Sequence, residues 1–450
     1  FYTKKPTLSK TELPKIKINV NSRYSTAATE KMNHFDVNYG KKKIAFLSSI
    51  SYSSYGDLKM GSNGFSDYLR PNYVSQNSQG EDVIIENPNP KVQRNTGYNQ
   101  LNLLQKFLYI PNKYIQFDLG FHFSKTSDIP RYDRLIRDDG QGGLFYGNWF
   151  YGPQEWILIN NQITLNPKST SIFDKLKLTT ALQRFSESRN SRKLYEFNLN
   201  TRDEKLNILS LNLDLIKKIN QSSDLTYGLE FIDNKVNSFG ISTDINDFTT
   251  TEIASRYPNN SSLKSFGGYF NYKNKIIDDV FFQSGVRYSF TKLQADLSHN
   301  NIYYDFPFQN TTLENSAFVG GVGLSWVRNT YNNWKFNINT AFRSPNIDDL
   351  AKVFDSEPGT VIVPNPDLKP ERSLGVEFGG YIRTKNNIEF DFSSYLTYLY
   401  NSLVRDEFTL ENGVSEIIYD GELSQIQALQ NSSKSIIYGF EFGVKTLINK

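Results

Sequence analysis

Apolar and polar residues alternate one for one in segment after segment of this chain, and that period fixes the backbone. Only an extended strand sends successive side chains to opposite faces. Between 115 and 123 the apolar set is Ile115, Phe117, Leu119, Phe121 and Phe123, against Gln116, Asp118, Gly120 and His122. Between 334 and 342, Trp334, Phe336, Ile338, Thr340 and Phe342 oppose Lys335, Asn337, Asn339 and Ala341. Between 388 and 400, Ile388, Phe390, Phe392, Leu396, Tyr398 and Tyr400 alternate with Glu389, Asp391, Ser393 and Thr397. Read this way, strands lie over 12–24, 30–40, 43–55, 99–109, 113–125, 155–164, 174–186, 204–217, 223–236, 263–274, 279–293, 315–328, 333–343, 372–384, 387–401 and 435–447.

The connections narrow the choice of fold. Tight turns at Gly40–Lys42, Ile110–Asn112, Lys218–Ser222, Arg328–Asn332 and Thr384–Asn386 alternate with long polar stretches. Those stretches cover 56–98, 126–154, 237–262, 294–314, 344–371 and 402–434. Short on one side and long on the other is the pattern of a transmembrane antiparallel β-barrel, with periplasmic turns and extracellular loops. A soluble sandwich alternates too, but nothing obliges it to keep that parity. The strand-like Lys193–Asn200 would break it, so 187–203 is assigned to an extracellular hairpin or strand extension. The expected fold is all-β, with about sixteen strands of an even-numbered barrel.

Composition agrees. Hydrophobic residues make up 38% of the chain and aromatic ones 14%, with Phe 33, Tyr 28 and Trp 4. Mean hydropathy is −0.51, and no stretch approaches the roughly 20 apolar residues of a membrane helix. A barrel strand needs only about ten residues, apolar on one side, and rings that tolerate water suit its interface girdles. Cys is 0, which excludes disulfides, thiolate metal sites and a cysteine nucleophile. A formal charge of +3, from 50 basic and 47 acidic residues, is no nucleic-acid footprint. No HExxH, GxSxG elbow or P-loop is present, so no enzyme and no catalytic residue is expected. The chain starts FYTKKP with neither Met nor a signal peptide, and the expectation is a fragment or mature piece.

Three places resemble a known family. The opening Phe1-Tyr2-Thr3-Lys4-Lys5-Pro6 is similar to the plug exit of TonB-dependent outer-membrane receptors. Asp57-Leu58-Lys59-Met60-Gly61, Ile129-Pro130-Arg131-Tyr132-Asp133-Arg134-Leu135 and Tyr151-Gly152-Pro153-Gln154 are similar to early loops of their haem and haemoglobin branch, Bacteroidetes-like in type. Phe342-Arg343-Ser344-Pro345 and Asn365-Pro366-Asp367-Leu368 look like the FRAP and NPNL boxes of haem receptors, flanking loop 344–371. The resemblance implies a plugged barrel of roughly 22 strands, of which the plug and the C-terminal strands are absent here. It makes residues 1–11 the end of the plug and its linker, and 12–450 a barrel that is incomplete at its C-terminal end.

The resemblance further implies active import across the outer membrane of a Gram-negative bacterium, with haem or another iron complex as cargo. The implied partners are the TonB complex, reached through the missing plug, an extracellular iron or haem ligand or its carrier protein, and outer-membrane lipid. Nucleic acid is not among them. No resident cofactor is expected; haem or an iron chelate would be the transported ligand. A passive porin-like channel is the alternative, since about sixteen strands is also a porin number.

Candidate ligand contacts are Phe342, Arg343, Pro345, Asn365, Pro366 and Leu368 in the boxes, with Trp149, Tyr151, Tyr303 and Tyr304 in the ring-rich runs 144–151 and 303–308. Tyr and Trp are common recognition anchors. The boxes have a plainer reading as well: prolines stop the loop from extending its strands, and Arg343 pairs with Asp367 to shape it. Haem receptors of this branch carry an iron-ligating histidine between the boxes, yet 346–364 holds no His, Tyr, Met or Cys. His122, near the outer end of its strand, and His299, on a loop, are therefore the candidate haem-iron ligands; His34 reads as an inward polar residue. Asp138-Asp139-Gly140 and Asp244-Ile245-Asn246-Asp247 lack calcium-loop spacing.

Overall fold

The computed structural model describes residues 3–304, 306–357, 359–384, 387–432 and 434–446. Phe1, Tyr2, Asp305, Pro358 and the end of the Thr384–Asn386 turn lie outside the described residues.

Sixteen strands of eleven residues or more dominate, and each coincides with one expected from the alternation. They are β1 (Lys15–Ser25), β2 (Glu30–Gly40), β3 (Ile44–Tyr55), β4 (Tyr98–Asn112), β5 (Ile115–Thr126), β6 (Tyr146–Leu165), β7 (Lys175–Lys193) and β8 (Asn198–Lys218). Next come β9 (Ser223–Asp244), β10 (Ser261–Ile277), β11 (Val280–Asp296), β12 (Asn310–Asn329), β13 (Asn332–Arg343), β14 (Glu371–Arg383), β15 (Ile388–Tyr400) and β16 (Lys434–Thr446). No helix among the described residues is long and apolar enough to cross a membrane, which says nothing of strands that cross one.

The chain divides into two compact units. The first comprises Phe1–Gln162, Thr180–Leu209 and Asn234–Asn260; the second comprises Ile163–Thr179, Ser210–Asp233 and Ser261–Lys450. In the first, β1 pairs antiparallel with β2, β2 with β3, β3 with β4 and β4 with β5. In the second, β10 through β16 pair antiparallel in chain order, with registers that keep apolar opposite apolar, as in Phe336↔Phe378 and Phe392↔Phe442.

Burial inverts the order of a soluble protein. The apolar members of the alternation are exposed: Phe318 at 82% and Tyr438 at 78%, with Ile16, Ile18, Leu119, Phe121, Phe266, Phe270, Phe336, Phe440 and Phe442. The polar members include buried groups such as Asp36 and Asn38. Within each unit, an apolar face of this extent needs something other than water against it, and a bilayer meets the need strand by strand. Aromatic pairs brace that face. Trp334 stacks on Phe378 with centroids 5.9 Å apart and meets Phe392 edge-on at 5.5 Å. Gly380 makes room for them, since a Cβ there would come within 2.7 Å of the Phe392 ring and 2.9 Å of Trp334.

Two expectations shift. β6, β7, β8 and β9 run well beyond the alternating segments, by nine residues at the start of β6. Strands that continue past a bilayer have water on both sides, and their alternation fades. Segment 187–203 is accordingly the end of β7, a four-residue turn and the start of β8, as the strand-extension reading had it. The long loops also carry structure. Asn72–Gln76 pairs with Asp82–Glu86, and loops 344–371 and 402–434 join in a small sheet of their own. There Thr360–Ile362 lies parallel to Gln425–Gln427 in strand Glu422–Asn431, which also pairs with Leu403–Glu407 and Glu416–Tyr419. Its core is Phe306, Val353, Val361, Val363, Leu410, Tyr419, Ile426 and Ala428.

Candidate functional site

Two clusters collect the residues singled out in the sequence, one in each unit. In the first unit the short strand Ile129–Pro130 pairs with Phe150–Tyr151 at the start of β6, and the Arg131 N–H donates to the Trp149 carbonyl at 3.1 Å. That pairing sets Arg131 beside Trp149 and Tyr151, which share a face because they are two residues apart. The guanidinium lies 5.1 Å from the Trp149 ring and 5.4 Å from the Tyr151 ring. Its Nη1 donates to the Tyr151 hydroxyl at 2.6 Å and its Nε to Asp133 Oδ1 at 2.8 Å, while Nη2 reaches the other carboxylate oxygen.

More arginines close on the ring-rich run 144–151. Arg134 lies 6.0 Å from Trp149, Arg189 5.4 Å from Tyr151 and Arg137 4.1 Å from Phe145. Trp149 and Tyr151 meet edge to face at 5.2 Å. Hydrogen bonding to Asp133 raises the Arg131 pKa above its ordinary value, against burial. Burial works against the charged Asp133, yet the bonds from Arg131 hold its carboxyl below the usual range. The result is a half-buried layer of guanidinium groups over ring faces, with Arg131 paired to Asp133 and Arg189 paired to Glu187 and to Glu204 at 2.8 Å each. Guanidinium groups in general pair with carboxylate or catecholate oxygen, and aromatic rings stack on planar groups. The sequence reading names Trp149 and Tyr151 as contacts, while Arg131 and Arg134 enter it only within the Ile129–Leu135 resemblance; the spacing of three at 131, 134 and 137 was the available signal.

In the second unit the two boxes fasten the loop sheet. Arg343, at the end of β13, donates from Nη2 to both oxygens of Asp349, at 2.9 and 2.7 Å, and from Nη1 to Glu371 at 2.8 Å. The expected pair with Asp367 does not form. Asp349 and Asn346 cap the helical turn Ile347–Leu350 reciprocally, which brings Asp349 to the arginine. Asp367 instead sits in a local turn, its N–H donating to Asn365 Oδ1 at 3.1 Å. Pro345 and Leu368 are buried, and Phe342 and Pro366 half-buried. Asn365 is buried as well: its N–H donates to the Leu350 carbonyl at 3.0 Å and its Nδ2 to the Leu429 carbonyl at 2.7 Å.

Tyr304 packs into the loop core, 5.4 Å from Phe306 and 6.1 Å from Tyr419, whereas Tyr303 stays exposed with the His299 ring 5.9 Å away. His122 stands on β5 with its ring 5.9 Å from Trp156, whose Nε1 donates to Gln183 at 3.3 Å. His34 contacts Ser51 at 2.7 Å and Asp36 at 3.1 Å. Among the described residues no group of three or more His, Cys, Asp or Glu is placed to hold a metal ion.

Residues 38–447 match the family model described as TonB dependent receptor-like, beta-barrel. No curated protein sequence matches the chain. Among solved structures, the copper transporter OprC aligns at 11% identity over 98% of this chain and 62% of its own, with TM-score 0.71. A double mutant of the Serratia marcescens hemophore receptor HasR, in complex with its hemophore HasA and heme, aligns at 12% over 97% and 62%, with TM-score 0.67. The ferric yersiniabactin uptake receptor FyuA from Yersinia pestis aligns at 12% over 98% and 60%, with TM-score 0.62. At such identities the likeness is one of fold, and the chain spans about three fifths of the length of these proteins.

Proposed function

The chain belongs to the TonB-dependent receptor-like β-barrel family, whose members sit in the outer membrane of Gram-negative bacteria, and on that footing we propose that it is the wall and outer loops of an active importer for haem or another iron complex. The observation that carries the choice of cargo is the arginine layer on Trp149 and Tyr151. It offers ring faces and guanidinium donors together, the two features that recognise a flat anionic chelate. The names of the similar structures, a copper transporter, a hemophore receptor with heme and a ferric siderophore receptor, support a metal complex as cargo. Nothing in the comparisons supports a passive channel.

In this reading residues 1–11 lead from a plug into the barrel, and TonB supplies the energy through that plug. The second-unit boxes act by holding the loop sheet in place, with Tyr303 and His299 at its surface. His122 or His299 would supply an axial nitrogen to haem iron.

The test is a haem titration of the full-length receptor followed at the Soret band, with Arg131→Gln, Trp149→Ala, His122→Ala and His299→Ala beside the wild type. Loss of the arginine or the tryptophan is expected to weaken binding about tenfold, the equivalent of roughly 1.4 kcal/mol. A shift lost in only one histidine variant assigns that histidine to the iron. No Soret change in any of the proteins removes haem. Unaltered Trp149 fluorescence on adding a ferric catecholate would then remove the iron chelate too.

A further inference from the structure

We infer that residues 3–9 form a strap buckled onto one face of β2, with Asp36 and Asn38 as the buckle, so that chain upstream of β1 is tethered to β2 and is released by lifting Lys4 first. The inference rests on the first unit alone and holds whatever the cargo is.

Three successive same-face residues of β2 receive the strap. The Lys4 ammonium forms an ion pair with Asp36, whose side chain is only 4% exposed. Asn19 Nδ2 donates to the same carboxylate at 2.8 Å, and His34 Nε2 lies 3.1 Å from it. Two residues on, the Thr7 N–H donates to Asn38 Oδ1 at 2.7 Å and Asn38 Nδ2 donates to the Thr7 carbonyl at 3.0 Å. That reciprocal pair copies a ladder pair with a side chain, so β2 grips the strap's backbone while its own backbone stays paired with β1 and β3. At the third position Gly40 allows the closest approach, since a Cβ there would collide with the Thr7 carbonyl oxygen. Beyond it the Ser9 N–H donates to the Lys41 carbonyl at 3.1 Å, and Lys106 Nζ reaches Thr3 Oγ1 from β4.

The strap has no regular secondary structure, so its backbone conformation is held by these contacts and by the burial of Pro6 and Ser9. Its direction matters mechanically. Lys4, Thr7 and Ser9 meet residues 36, 38 and 41 in rising order, so the strap runs parallel to β2 before the chain turns back into β1. Tension along the strand loads all the contacts at once. Tension away from the strand opens them one at a time, beginning with Lys4–Asp36. The two modes differ in force because shared contacts resist together and sequential ones do not.

Trypsin reads the strap directly. The Lys4–Lys5 bond lies inside it, Lys5–Pro6 resists trypsin, and Lys10–Thr11 lies just past it. The folded full-length receptor in detergent is cut at timed intervals, and the new chain ends that begin at Lys5 and at Thr11 are quantified by mass spectrometry. Each variant first has to show the folded, heat-modifiable migration of the wild type on a gel. We expect Asp36→Asn to speed cleavage at Lys4–Lys5 at least tenfold with little change at Lys10–Thr11, and Asn38→Ala to speed both. Thr7→Pro deletes the N–H on the strap side, leaves β2 untouched and keeps the test decisive if a β2 variant fails to fold; it should speed cleavage as Asn38→Ala does. Equal Lys4–Lys5 rates in wild type, Asp36→Asn and Thr7→Pro would overturn the strap. Equal acceleration at both bonds in Asp36→Asn would overturn the order of release.

Discussion

Arg192 lays both terminal guanidinium nitrogens on the carboxylate of Asp82, each bond 2.7 Å long, with the two side chains 3% and 2% exposed. The pair joins the end of β7 to the hairpin formed by Asn72–Gln76 and Asp82–Glu86, more than a hundred residues apart in sequence. Asp82 also accepts the Tyr195 N–H at 3.0 Å, and Arg192 donates to the Glu196 carbonyl at 2.7 Å. Removing one partner of a buried ion pair strands the other, at about 3–5 kcal/mol. Asp82→Ala or Arg192→Met should therefore release the hairpin, seen as faster amide exchange over 72–86 with little change in β1–β5. The double variant should cost less than the sum of the two, because neither charge is then left behind.

The same pair sets an acid limit. Burial alone would raise the Asp82 pKa, but the bonds from Arg192 and the Tyr195 N–H bring it below its ordinary value. A carboxyl whose folded-state pKa is depressed stabilises the fold above its unfolded pKa, and that stabilisation fades as pH falls through the folded value. The hairpin should therefore stay docked at pH 5 and above, and begin to loosen only below about pH 4, the range of an unperturbed aspartate. Exchange over 72–86 against pH measures this. In Asp82→Asn the acid step should vanish, the hairpin being loose throughout.

How much of this is readable from sequence depends on the period. Where one face meets lipid, alternation is enforced residue by residue, and all sixteen long strands can be placed from it. Where β7 and β8 leave the bilayer, Lys193–Asn200 still looks strand-like, but no apolar face marks where it belongs. Arg192 and Asp82 give no sign of each other, because their contact is set by how the end of β7 and the hairpin in loop 56–98 fold together. The Arg343 pairing shows the same limit. Asp367 looks the natural partner from its place in the box, while Asp349 is selected by a capping box that only the folded turn reveals. The loop sheet escapes a sequence reading since its parallel pairing of 360–362 with 425–427 joins segments whose alternation is too short to read.

Arg343 serves as the hinge pin of loop 344–371. Arg343→Lys keeps the charge but cannot reach Asp349 with two bonds and Glu371 with a third, because an ammonium lacks the planar fork. Its exposure reduces what the contacts contribute, and a loss of about 1–2 kcal/mol is expected from hydrogen bonds to charged groups. Proteolysis within 346–364 should accelerate by about tenfold, one factor of ten being roughly 1.4 kcal/mol, while cleavage in loop 56–98 should not change. Asp349→Asn should act in the same direction and add little on top of Arg343→Lys.

The loop sheet has a core separate from the apolar face of the strands, and the two should fail separately. Ile426 is fully buried among Val361, Val363, Leu410, Tyr419 and Ala428. Truncating a buried isoleucine to alanine costs about 2–5 kcal/mol through lost burial and the cavity left behind. So small a core has little else to draw on. Ile426→Ala should thus free loops 344–371 and 402–434 together, since Thr360–Ile362 and Gln425–Gln427 are held edge to edge across that core. The core around Ile426 is built from loop residues, and the long strands' heat-modifiable migration in detergent should remain that of the wild type. Protease mapping would show both loops cut sooner and at the same rate. If only 402–434 became sensitive, or if the strands lost their folded migration as well, the loop sheet would not be a cooperative unit of its own.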